Sequence, residues 1–301
     1  MFGIEALDVV IGMIFIYLLF SLFVSIVNEM INSALNIRGR EQAIIIRELL
    51  DNDDKKTASF FNHEKMKALV EPAGWFLQSK NLLSPQYFAW DIDRLRLPDS
   101  ITSEKFANVY SDMTNTKLNR TELIDLFDDA IYLSRTRFKR KLRRTLFGLG
   151  LLVSALFNIN SIHIFSVLKD NPEIRNALVQ QATEYAEKNS SLPKEMHLDP
   201  SDLKKLKDQL DTLRSSQIEM LDAGLGIGWD FKKIEKKKDA KTEDYVEVIF
   251  EHITITVFFG WIITALAISM GAPFWFDLLR KVVNIKNELK RKGQKGDGAL
   301  G

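Results

Sequence analysis

The chain has 301 residues, with 41 Lys and Arg against 40 Asp and Glu, and it has no cysteine. That composition removes disulfides, thiolate metal sites and thiol nucleophiles, and a net charge of +1 leaves the distribution of charge, not its sum, to carry information. A mean hydropathy of -0.08 conceals three stretches, 9–28, 145–168 and 252–276, that contain no Asp, Glu, Lys or Arg. As a helix rising about 1.5 Å per residue, each can cross a hydrocarbon core ~30 Å thick.

The first transmembrane helix is expected over 1–35, around the uncharged span 9–28. Glu5 and Asp8 precede it and no Lys or Arg does, and the apolar run exceeds a usual signal-peptide core, so it reads as a retained transmembrane helix. Ser21, Ser25, Asn28, Glu29 and Asn32 recur on it at three- and four-residue intervals and form one polar stripe. Polar groups at this depth face protein or water, because an unpaired one is costly in hydrocarbon. Ser21 and Ser25 also make a small-xxx-small pair that admits a second helix. The stripe is a helix-packing face, or the lining of a pore with Glu29 facing the ion. Arg143, Arg144 or Arg280 is the expected partner of Glu29.

Residues 36–144 read as a cytoplasmic domain of short helices. An amphipathic helix over 40–50 carries Ile44, Ile45, Leu49 and Leu50, and 51–56 breaks it. A second helix starts near His63. A third starts near Ser84, where Pro85 suits a first turn. Thr121 and Glu122 open a last helix with Leu123, Leu126, Phe127, Ala130 and Ile131 at helical spacing. It runs through the basic block that holds Arg140, Arg143 and Arg144, expected at anionic headgroups, and continues into the second span, 145–168. There Asn158 and Asn160 predict an interhelical hydrogen bond or a break.

Residues 169–251 predict an external helical hairpin. Its first arm runs over 172–188, its turn over 189–199, and its second arm starts at Asp199-Pro200. Leu203, Leu206, Leu210, Leu213 and Met220 give the second arm a seam that packs on the first arm or on another copy. The third span, 252–276, contains Ala267-xxx-Gly271, then Pro273, expected to kink it, and Trp275, expected as an interfacial anchor. Arg280 and Lys281 open a basic tail, 277–301, and reach for headgroups.

Basic residues follow the first span, precede the second and follow the third, which puts the N-terminus outside and the C-terminus in the cytoplasm. Six lysines between 232 and 241 oppose this, but they lie in a long loop among acids. The fold class is therefore mainly α: an integral membrane protein with three transmembrane helices, a cytoplasmic helical domain and an external hairpin.

Catalytic patterns are missing. His63, His163, His197 and His252 are scattered and form no H-E-x-x-H, and no Walker-type loop occurs. The glycines at 224–228 do not keep dinucleotide-loop spacing, and Glu122, Asp125, Asp128 and Asp129 read as a solvated helix face. No cofactor or metal is implied. The basic block beside a span points to anionic lipid, not nucleic acid.

The string GWIITALAISMGAPFWFDLLRKVVN over 260–284, Leu7-Asp8 with Gly12, Asn28-Glu29, and Phe127-Asp128-Asp129-Ala130 carry a resemblance. The chain resembles a poorly characterised family of bacterial three-helix inner-membrane proteins that end in a G-A-P-F-W-F-D-L-L segment. His63-Glu-Lys-Met departs from the His-Pro-Leu-Ile string of that family. The resemblance implies a bacterial inner-membrane protein with a helical cytoplasmic domain, and supplies no reaction or catalytic residue. The leading expectation is a non-enzymatic, self-associating membrane anchor or scaffold that docks a soluble protein partner at the cytoplasmic face. The alternative is an oligomeric pore-forming or membrane-permeabilising effector of the kind used in bacterial defence.

Overall fold

The computed structural model describes residues 2–72, 95–98, 100–114, 118–188, 225–229 and 253–297. It is mainly α-helical. In chain order the elements are α1 (Phe2–Ala34), α2 (Ile37–Leu49), α3 (Asp54–Asn62), α4 (Glu64–Lys67), β1 (Glu71–Pro72), β2 (Leu95–Arg96), α5 (Ser103–Met113), α6 (Arg120–Leu156), α7 (Ser161–Asp170), α8 (Pro172–Lys188), α9 (Ile255–Ser269) and α10 (Ala272–Asp297). The chain divides into two compact units: 1–28 with 143–301, and 29–142. The continuous helices α1 and α6 contribute to both.

The smaller unit, 29–142, has an aromatic interior of its own. Phe60, Phe61, Met66, Phe106 and Phe127 are all but fully buried. The Phe106 and Phe127 rings stack at 4.6 Å, and Phe60 lies 5.8 Å from Phe106. Helix starts here are capped as the sequence dictates. The Asp53 carboxylate accepts from the N–H groups of Lys55 and Lys56, and those donors hold it below the ordinary carboxylate range. Asn119 and Glu122 exchange backbone-to-side-chain bonds of 2.8 and 2.9 Å at the start of α6, a capping box built on Asn. The short strands pair antiparallel, Glu71 opposite Arg96 and Pro72 opposite Leu95.

Several expected elements stand where the periodicity put them. Helix α2 covers most of 40–50, α8 spans Pro172–Lys188, and α6 runs unbroken through the basic block to Leu156. The break expected over 51–56 is shorter. Asp51 and Asn52, both at positive φ, make the whole turn, and Asp53 caps α3 at once. Near His63 only the four-residue α4 forms, with the His63 ring accepting from Lys65 N–H. The helix expected from Ser84 and the second hairpin arm over 199–220 lie outside the described residues.

In the larger unit α1 is the centre. Ile11, Phe15 and Leu18 have no exposed surface. Leu168 of α7 lies 3.1 Å from where a Cβ on Gly12 would stand, the Tyr185 ring of α8 is 5.9 Å from Phe15, and Trp275 of α10 is 4.8 Å from Tyr17. The first hairpin arm, α8, packs on α1. Leu178, Val179, Ala182 and Tyr185 of α8 are buried in the α1 core, and Tyr185 also meets Phe276 of α10. Burial pushes the Tyr185 hydroxyl up to about 12.

Helix α1 is long and apolar enough to cross a membrane by itself. The second and third apolar stretches are not straight. Helices α6 and α7 meet at a 59° bend and α9 and α10 at 91°, so they count as crossings only if each bent pair is taken as one.

Replacing Phe106 by Ala should cost about 3–5 kcal/mol through the cavity left between Phe60 and Phe127, read as a lower unfolding midpoint of the detergent-solubilised protein. Tyr132→Ala, at a side chain 71% exposed, should leave the midpoint unchanged.

Candidate functional site

The two bends meet on one face of α1, and there the unit keeps its most concentrated buried polar groups. An apolar helix that stops inside a protein core frees backbone donors and acceptors that must be paired locally. At the first bend Asn158 takes a left-handed φ of 47°, which Asn tolerates better than most residues. Its carboxamide accepts from the Trp261 indole at 3.2 Å and donates to Gly228 O at 3.1 Å. The freed carbonyls of Leu156 and Phe157 accept from the Trp229 indole and from Gly228 N–H. Asn160 then caps α7, accepting from Ile162 and His163 N–H.

A chain of hydroxyls ties this bend to α1 and α9. Tyr17 donates to Ser161 Oγ at 2.9 Å, and Ser161 Oγ lies 2.7 Å from Thr264 Oγ1. The Thr264 hydroxyl has one proton to give to the carbonyls of Ile159 and Gly260, each at 2.8 Å. With that proton committed, Ser161 is the donor to Thr264. Helix α9 approaches so closely that a Cβ on Gly260 would collide with the Asn160 carboxamide.

The second bend uses the same devices. Gly271 turns the chain at φ 86°, a conformation that side chains rarely adopt. Ser21 donates to Ile268 O at 3.2 Å, and the Trp275 indole donates to Ala267 O at 2.7 Å.

Residues of α1 also make two ion pairs, one buried and one half-buried. Lys286 of α10 meets Asp8 at 2.5 Å with side chains 9% and 12% exposed. Arg38 meets Glu29 at 2.9 Å, because the left-handed Asn36 ends α1 and turns α2 back. Arg38, which is not among the partners expected for Glu29 from the sequence, stands one turn beyond the end of α1. Arg280 stands over the Phe276 ring at 5.9 Å.

The expected site residues are distributed as follows. Ser21, Ala267 and Gly271 come together at the second bend, and Asn158 and Asn160 build the first. Ser25, Asn28, Glu29 and Asn32 are buried, so the stripe faces the chain's own interior. Ser21 and Ala267 make contacts within the chain at this bend. Trp275 departs from the anchor role: it is buried and its N–H is spent on Ala267 O. Pro273 is not the kink. It sits in the first turn of α10, where a missing N–H is harmless, and Gly271 makes the bend. Arg143, Arg144 and Lys281 are exposed, as headgroup contacts require, and the Arg140 side chain lies outside the described residues. Tyr17, Ser161, Thr264, Asp8 and Lys286 were not legible as partners, since nothing local links residues so far apart in sequence.

Chemically, hydroxyls here donate to carbonyls and carboxylates meet cations. Among the described residues no group of three or more His, Cys, Asp or Glu is placed to hold a metal ion. Comparison with family models, with curated proteins and with solved structures gives no match to this chain.

Thr264→Val should destabilise the detergent-solubilised protein by about 1–2 kcal/mol, because buried carbonyls lose their donor, while Thr264→Ser should cost less. Asp8→Ala leaves Lys286 buried without its partner and should lower the unfolding midpoint more than the double change Asp8→Ala with Lys286→Met. Equal losses in single and double variants would show that the pair does not act as a unit.

Proposed function

We propose that this chain is a non-enzymatic membrane anchor of the bacterial inner membrane that holds the helical domain 29–142 at the cytoplasmic face for a soluble protein partner. The observation that carries this is the division of labour between the two units. The larger one presents a wall of apolar side chains, with Ile255 75% exposed and Phe259 and Leu266 each 54%, beside Leu152 and Leu156 of α6. A patch of that size marks contact with lipid or with another apolar surface. The smaller unit closes an aromatic core of its own.

In this proposal α1 is a full crossing. Helices α6 and α7 form a broken crossing whose freed backbone groups are paired within the protein. The exposed Arg143 and Arg144 lie against anionic headgroups where α6 enters the bilayer. Self-association belongs to the proposal through the exposed apolar wall, since the small-residue faces are occupied within the chain. The resemblance to bacterial inner-membrane proteins supports the location.

A pore lined by several copies of α1 fits less well. A lining must present its polar stripe to water, and Ser25, Asn28, Glu29 and Asn32 are each less than 9% exposed in a single copy. Reconstituted into liposomes, the protein should give no more ion leak than empty vesicles. Isolated from native membranes in mild detergent, it should carry a soluble protein in fixed ratio that Phe106→Ala weakens. A leak abolished by Glu29→Gln, from a complex holding only copies of this chain, would replace the anchor with the pore.

A further inference from the structure

We infer that α9 and α10 are a re-entrant element, in which α9 dips into one leaflet and α10 returns to the face it entered from, so that both chain ends share one side of the membrane. The inference rests on the reading of α1 as a crossing. It replaces the third straight span and the opposite-sided termini that the charge pattern suggests.

Four observations carry it. Helix α9 has 15 residues, or about 22 Å, less than a hydrocarbon core of ~30 Å. The chain then turns through 91° at Gly271 instead of continuing. Beyond the turn α10 runs back along α1: Trp275 packs on Tyr17, and Lys286 reaches Asp8 near the N-terminus. A third crossing antiparallel to the second would carry Lys286 toward the opposite end of α1.

The outer surfaces agree. Arg280, Lys281, Asn287 and Glu288 are exposed on α10, a face too costly to leave in acyl chains, whereas the exposed face of α9 is apolar. The flanks of this segment also match each other. Six lysines between 232 and 241 precede it and six Lys and Arg between 280 and 292 follow it, with no asymmetry to drive translocation of either end.

The chain has no cysteine, so single-cysteine variants report position without background. Ala6→Cys on α1, Asn287→Cys on α10 and Glu104→Cys on α5 are all at exposed positions. They are labelled with a membrane-impermeant maleimide in sealed vesicles of known sidedness, and again after detergent to normalise reactivity. The inference predicts that Ala6→Cys and Asn287→Cys react from the same side and Glu104→Cys from the other. Asn287→Cys reacting with Glu104→Cys, opposite Ala6→Cys, overturns the re-entrant element and leaves the anchor standing. All three reacting from one side overturns the crossing by α1 itself, and the inference with it.

Discussion

Helices that stop inside an apolar segment release backbone groups that no water reaches, and the larger unit is organised by the need to pair them. Two such stops occur, at Asn158 and at Gly271, and both are answered by side chains from elsewhere in the chain. Thr264 bonds the carbonyl of Ile159, Trp229 that of Leu156, Ser21 that of Ile268 and Trp275 that of Ala267. Each donor is correct only for one bend in one place. Satisfying those groups therefore fixes the position of α7, α9 and α10 on α1 more strictly than apolar packing could, since packing is non-directional.

The buried charges act within the same frame. A carboxylate or ammonium in an apolar surrounding is tolerated when it is paired, and the pairing often specifies geometry more than it adds stability. Asp8 with Lys286 sets which end of α1 the C-terminal helix approaches. Glu29 with Arg38 spans the turn at Asn36 and sets how α2 leaves α1. Both pairs use acids that also mark the limits of the uncharged stretch of α1. The same acids thus end the apolar run in sequence and pair with cations in space.

What the sequence discloses follows from range. Helices α2, α6 and α8 were legible because their periodicity is local; Pro172 needs no knowledge of the rest of the fold, while the start expected at Thr121 falls one residue earlier, at Arg120, with Asn119 as the cap. The inward stripe of α1 was legible as a stripe, but its partners were not. Uncharged runs were legible as apolar and misleading as straight, because length and composition do not record a left-handed Asn or Gly. Pro273 drew attention as a helix breaker, yet the bend belongs to Gly271, two residues earlier, and the proline only starts the next helix. Trp275 has the composition of an interfacial residue, and only the position of Ala267 O shows where its N–H goes.

The separation between Tyr17 or Ser21 and their partners bears on how the chain is made. The bonds from Tyr17 to Ser161 and from Ser21 to Ile268 close loops of 144 and 247 residues. At roughly 5–20 residues per second, α1 leaves the ribosome tens of seconds before α9 and α10 exist to cover it. For that interval Asp8, Tyr17 and Ser21 stand on a nascent helix without their final partners. The packing of α1 is therefore completed only when the last helices have been made. The C-terminal segment closes the structure as well as the chain.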